Sequence, residues 1–131
     1  MVRIVLTFIL GLAAGSWAIP AVHAQFRNIV TNRLLTVDLT GWCEGKEATI
    51  ELNEAGAGTS GKHYHPAHSF TYVLEGSEEQ VLEGKPAKTF NVGEFLHEEP
   101  MEVHTSINKS PVKLLTFRIA EKGKPASVRV P

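Results

Sequence analysis

Apolar and polar residues alternate with a period of two along much of this chain. Ala48, Ile50 and Leu52 interleave with Thr49 and Glu51, the signature of a strand with one face in a core. The run Phe-Thr-Tyr-Val-Leu over 70–74 has the strongest β character, from its aromatic and β-branched content. Further short strands are expected at 34–39, 62–65, 80–83, 88–92, 95–97, 103–107 and 112–119, about nine in all, separated by turn-forming stretches such as Asn53-Glu54-Ala55-Gly56-Ala57-Gly58 and Gly84-Lys85-Pro86. No stretch beyond residue 24 sustains a helical period. The fold class is therefore all-β, a single domain closed as a barrel or jelly roll that leaves few exposed edges.

Both faces of 70–74 are largely apolar: Phe70, Tyr72 and Leu74 on one, Val73 with Ser69 and Thr71 on the other. A strand covered on both sides lies between two layers or against a second subunit, so a homodimer is expected.

The first residues carry a different pattern. Arg3 precedes an apolar run over 4–14, and small residues follow at Val22-His23-Ala24. This is the layout of a secretory signal peptide cleaved after Ala24, with Ser16-Trp17-Ala18 as a competing site. The apolar run is shorter than the roughly 20 residues a bilayer-spanning helix needs, so no membrane association is expected after cleavage. The expected organisation is a signal peptide at 1–24, an extended arm at 25–33, a barrel at 34–120 and a tail at 121–131, in a protein exported to the periplasm or the extracellular space.

Charge narrows the possible partners. Cleavage removes one of 13 basic residues, Arg3, and none of the 14 acidic ones, taking the formal charge from −1 to −2. Lysines and arginines are scattered with no stripe that could track phosphates, which argues against nucleic acid. Cys43, the only cysteine, excludes an intramolecular disulfide and reads as a half-buried small residue. Asn108-Lys109-Ser110 has the form of a glycosylation sequon, followed by Pro111.

The candidate chemistry lies in the histidines. His63 and His65 flank Tyr64, and side chains two apart on a strand project from one face, where they can grip one ion. His104 lies about forty residues on, across glycine-punctuated short strands of the kind that bring distant ligands together in a barrel.

The stretch from Gly58 through His63-Tyr64-His65-Pro66-Ala67-His68-Ser69 to Gly76 resembles the first motif of the cupin superfamily. Gly93 through Pro100 to His104 and Asn108 approximates the second. The resemblance spans about 34–119 and implies a jelly-roll barrel with His63, His65 and His104 as metal ligands. It is similar in particular to small exported cupins described as quercetin-dioxygenase-like.

Three positions depart from the family pattern. Ser69 stands where the family has a glutamate ligand, Met101 where it has glycine, and Glu99 where it has proline. His68, one residue before Ser69, is an alternative fourth ligand. An unbroken period of two after His65 turns Ser69 inward and His68 outward, whereas a bulge at Pro66 would reverse them. Ser69, His97 and Glu102 are pocket candidates, and His97, Glu98, Glu99 and Glu102 form a candidate acidic rim.

Three imidazoles suit iron, zinc, copper or nickel, with manganese disfavoured by the missing carboxylate. Such a site carries excess positive charge and favours an anionic partner. Iron would permit oxygen insertion, while zinc would favour hydrolysis or isomerisation. The expected partner is a small oxygen-bearing ligand or substrate. The functional expectation is a metal-dependent, dioxygenase-like enzyme; the alternative is a non-catalytic binder of a metal or small ligand on the same fold.

Overall fold

The computed structural model describes residues 27–131; the segment read as a signal peptide lies outside them. Among the described residues eleven strands form two antiparallel sheets. The first has the order β1 (Ile29–Asp38), β2 (Lys46–Ala55), β10 (Val112–Glu121), β5 (Ala67–Glu75), β8 (Phe95–Glu98). The second has the order β11 (Val128–Arg129), β4 (His63–Tyr64), β9 (His104–Asn108), β6 (Ser77–Leu82), β7 (Lys88–Asn91), with β3 (Gly58–Thr59) also pairing with β9. The architecture is a jelly roll, as the alternation and the turn spacing predict.

Two segments assigned outside the barrel contribute strands. The arm expected at 25–33 continues into β1, which pairs with β2 from Ile29 onward and shifts register between Arg33 and Leu35. The tail expected at 121–131 returns as β11, opposite Tyr64 and His63. Between β1 and β2 a short 3-10 turn (Gly41–Cys43) holds Cys43 half-exposed.

Alternation in β2 has the opposite sign from the one its apolar residues suggest. Thr49, Glu51 and Asn53 are buried, while Ile50 faces outward in an apolar groove with Phe70, Tyr72, Phe95, Leu115 and Phe117. Strand β10 follows the same rule: Val112, Leu114, Thr116 and Arg118 alternate inward, with Leu115 and Phe117 outside.

Register turns these inward positions into a gradient. Ala55 opposes Val112, and Val73 opposes Leu114. Together with Leu96 and Phe90 they form the apolar core. Further along the same strands Thr71 opposes Thr116, and Ser69 opposes Arg118, so the lumen passes from apolar to polar. Each buried polar group must then find a partner: Asn53 donates to Thr116 Oγ1 (3.1 Å), and the Thr71 and Thr116 hydroxyls lie 3.0 Å apart.

Gly76 ends the first histidine motif for a steric reason. Its φ is +76°, and a Cβ there would lie 2.5 Å from the Pro111 carbonyl oxygen, so any side chain would displace backbone.

Candidate metal centre

His63 opens the two-residue β4 and His65 follows it directly, and His63 pairs with His104 on β9. The alternation of strand geometry and this one register contact bring the three rings together, with centroids 4.3–5.2 Å apart. One ring nitrogen from each lies within 4.8 Å of the others. His65 and His104 are buried, and His63 is partly so.

The protein dictates which nitrogen each ring presents. His63 Nδ1 lies 3.0 Å from the Gly61 carbonyl, His65 Nδ1 2.6 Å from the Ala126 carbonyl, and His104 Nδ1 2.9 Å from the Glu102 carbonyl. A carbonyl only accepts, so each neutral ring must carry its proton on Nδ1 and turn an Nε2 lone pair toward the lumen. Backbone carbonyls holding histidines from behind are the usual outer support of a metal site.

Electrostatics within the trio follow from burial and from Glu98. Burial pushes His63 down to about 4, despite its bond to Gly61 and with added repulsion from His104 and His65. Burial also lowers His65, against the pull of Glu98. His104 is raised: burial works against its charge, but the contact with Glu98 outweighs it. Burial would lift Glu98, yet His104, His65 and Arg118 together hold it down at about 2.

His104 Nε2, 2.9 Å from Glu98 Oε1, is buried without a well-formed hydrogen bond. With Nδ1–H directed at Glu102, the neutral ring offers a lone pair to a carboxylate, an arrangement that calls for a cation between them or a proton on the ring. The donor set therefore fits a divalent transition ion: imidazole nitrogens, preset tautomers and an orphaned buried nitrogen.

Burial alternates without a slip from His65 through Ala67, Ser69, Thr71 and Val73, so Pro66 introduces no reversal. Ser69 is fully buried and accepts from Arg118 Nε (3.1 Å). His68 lies on the outer face and is thus excluded as a fourth ligand by the parity of β5. It sits 3.2 Å from His97 Nε2, and both rings contact the exposed Glu99. His97 is accordingly an outer-face residue stacked on Phe70, 4.6 Å between centroids, and does not line the pocket.

Glu102 contributes its backbone carbonyl, while its side chain turns to Lys85 (2.9 Å). The acidic rim is divided the same way: Glu99 is exposed, whereas Glu98 is buried beside His104 and His65. Asn108, the sequon asparagine, is buried and accepts from Arg27 Nη1 (3.0 Å), so its side chain is closed to modification in this fold.

His63 and His65 open on a cavity of about 470 Å³, whose walls also include Glu98, Arg27, Arg33 and Arg118. Arg118 and Arg33 converge on the two oxygens of Glu51, and Arg27 pairs with Glu78 at 2.7 Å. The sequence pointed to Glu98 only as part of an acidic rim and to Glu51 only as a strand position, and did not single out Arg118. For Glu51 on β2 the period of two was the signal, and its sign pointed the wrong way; Arg118 shares the inward parity of β10 with Leu114 and Thr116.

A family model described as "Cupin domain" matches residues 50–118. No curated protein matches. Among solved structures, the DMSP lyase DddQ from Ruegeria pomeroyi DSS-3 superposes with a TM-score of 0.60 at 18% identity, over 78% of this chain and 51% of that one. This chain thus spans about half of that lyase's length. The Clostridium difficile EutQ protein gives 0.60 at 12% identity, over 72% and 69%. A cupin superfamily protein from Desulfitobacterium hafniense DCB-2 gives 0.58 at 13%, over 76% and 84%. At these identities the likeness concerns the fold.

Proposed function

This chain belongs to the cupin family, and we propose that it is an exported metal-dependent enzyme acting on a small oxygen-bearing molecule inside its barrel. The carrying observation is the trio itself, three imidazoles each held through Nδ1 by a backbone carbonyl, with one ring nitrogen of each within 4.8 Å of the others. Held there, a divalent ion such as iron, zinc, copper or nickel supplies Lewis acidity to a ligand oxygen. The remaining work falls to this chain's residues. A cavity of about 470 Å³ suits a small molecule, and Arg33 and Arg118 sharing Glu51 place positive charge on its wall for an anionic group. That one structural neighbour is a DMSP lyase supports small-molecule chemistry on this scaffold, without assigning its substrate here.

A second reading, a non-catalytic binder of a metal or small ligand, uses the same histidines. It is favoured by the pairing of Arg27, Arg33 and Arg118 with carboxylates, which leaves these guanidiniums less free to engage a reacting group. Elemental analysis of protein purified without an affinity tag tests the shared premise: one ion per chain is expected, lost in His63→Ala and His104→Ala. Each metal form is then assayed for oxygen uptake and for product from flavonoids, dicarboxylates, diketones and DMSP. Tight capture with no product from any form selects the binder, and absence of stoichiometric metal overturns both readings.

Two further parts of the proposal have separate tests. Export rests on the 1–24 segment, checked by the N-terminal mass of protein recovered outside the cytoplasm. The homodimer rests on the outer sheet face, where Phe70, Phe95 and Phe117 keep 38%, 70% and 37% of their surface exposed; sedimentation equilibrium would read twice the chain mass.

A further inference from the structure

Ser69 leaves the metal trio without the carboxylate its family supplies from β5. Directly across the strand pair, however, Ser69 opposes Glu98 on β8. Both residues are buried and face the lumen, and directly opposed residues have Cβ atoms only about 5 Å apart. A carboxylate moved from one to the other stays in the same part of the cavity. We propose that Glu98 is the fourth metal ligand, the family's missing carboxylate carried over to the neighbouring strand. The inference rests on the metal-binding reading above and adds a residue to it.

Three observations converge on Glu98. Oε1 lies 2.9 Å from His104 Nε2, and Oε2 lies 3.5 Å from His65 Nε2. Neighbouring donors around one ion at bond lengths of ~2.1 Å stand about 3 Å apart, so the carboxylate has the spacing of an adjacent ligand. Gln80 Nε2 donates to Oε1 at 3.0 Å from β6, holding the carboxylate from behind as the backbone carbonyls hold the rings. Finally, the group is acceptor-rich: two carboxylate oxygens face inward-turned imidazole lone pairs, and Gln80 is the neutral donor among them. A cation at the convergence satisfies all four groups at once.

The fourth ligand changes the metal chemistry expected of the site. A three-histidine, one-carboxylate set carries one negative charge and includes a hard oxygen donor, which brings manganese back among the metals the site suits. Arg118 Nε donates to Ser69 Oγ at 3.1 Å.

The test compares wild type, Glu98→Gln and the double variant Ser69→Glu/Glu98→Gln, each loaded with cobalt(II). Readouts are the visible absorption spectrum, which reports coordination, and chelator competition for affinity. Glu98→Gln is expected to alter the spectrum and to weaken binding at least 100-fold, and the double variant to recover a wild-type-like spectrum and at least tenfold of the affinity. An unchanged spectrum and affinity in Glu98→Gln overturns the proposal. So does a folded double variant that recovers neither readout, which would assign Glu98 to orienting His104 from outside the coordination shell. If wild type binds no cobalt, or His104→Ala binds it equally well, the metal-binding reading itself fails, an outcome distinct from failure of Glu98 alone.

Discussion

The barrel holds two histidine groups, and they differ in nearly everything except residue type. His63, His65 and His104 meet in the lumen, each with Nδ1 committed to a backbone carbonyl. His68 and His97 meet on the outer face of the same sheet system with Glu99, their side chains 49% and 41% exposed. They are stacked on Phe70 and have water as an alternative partner. Proximity of imidazoles is common to both groups. What separates a metal centre from a surface cluster is that the inner rings have their tautomer and orientation set in advance, so an ion need not order them.

The largest expected effect would break that comparison outright. His63→Ala or His104→Ala should abolish stoichiometric metal in tag-free protein, while His68→Ala/His97→Ala should leave one ion per chain, both read by elemental analysis. Equal loss from the surface variant would mean that the outer cluster is the metal site.

A second experiment isolates the carbonyl support. Ending the chain after Pro125 removes the Ala126 carbonyl behind His65 and the β11 pairing beside His63. Affinity measured by chelator competition should fall about 10- to 100-fold, the usual cost of losing outer-shell partners. An unchanged affinity would show that burial alone suffices.

The pH response sharpens the contrast further. His63 is held at about 4 in the fold against about 6.5 in an unfolded chain. Between those values the unfolded chain takes up a proton that the folded one refuses. Stability is thus complete above 6.5 and is lost as pH falls toward 4. Glu98, at about 2, adds a loss of the same sign below about 4.5. His104, raised by Glu98, contributes stability below 6.5 that is lost as pH rises through its folded value. The urea midpoint of the metal-free protein should therefore drop between pH 6.5 and 4, and His63→Gln should flatten that drop.

The smallest effect concerns the turn before His104. Met101 holds φ at +66°, and its N–H donates to the His65 carbonyl at 2.9 Å, so the left-handed turn survives without the family's glycine. Met101→Gly relieves about 1–2 kcal/mol of backbone strain against about 0.4–1 kcal/mol of added unfolded-chain entropy. A gain of about 1 kcal/mol or less, with unchanged metal affinity, is the expected result in a denaturant titration.

Much of this was legible beforehand because strand geometry is local. A period of two puts His63 with His65 and separates Ser69 from His68 whatever the rest of the chain does. Inside and outside were harder to read. On β2 the apolar set, Ile50 and Leu52, lies on the outer face and the polar set Thr49, Glu51 and Asn53 on the inner one, since this lumen is a polar cavity over a small core. Glu98 was read as rim because it falls in a run of charges just past the strand expected at 95–97, whereas it ends β8 and is buried.

By itself, then, the sequence determined the all-β class, the strand periods and the pairing of His63 with His65, because these depend on residues a few positions apart. Only the tertiary structure decided which face is the lumen, that Ala126 supports His65, and that Glu98 stands opposite Ser69. Those facts depend on register between strands distant in the chain, and register is settled by the packing of the whole barrel.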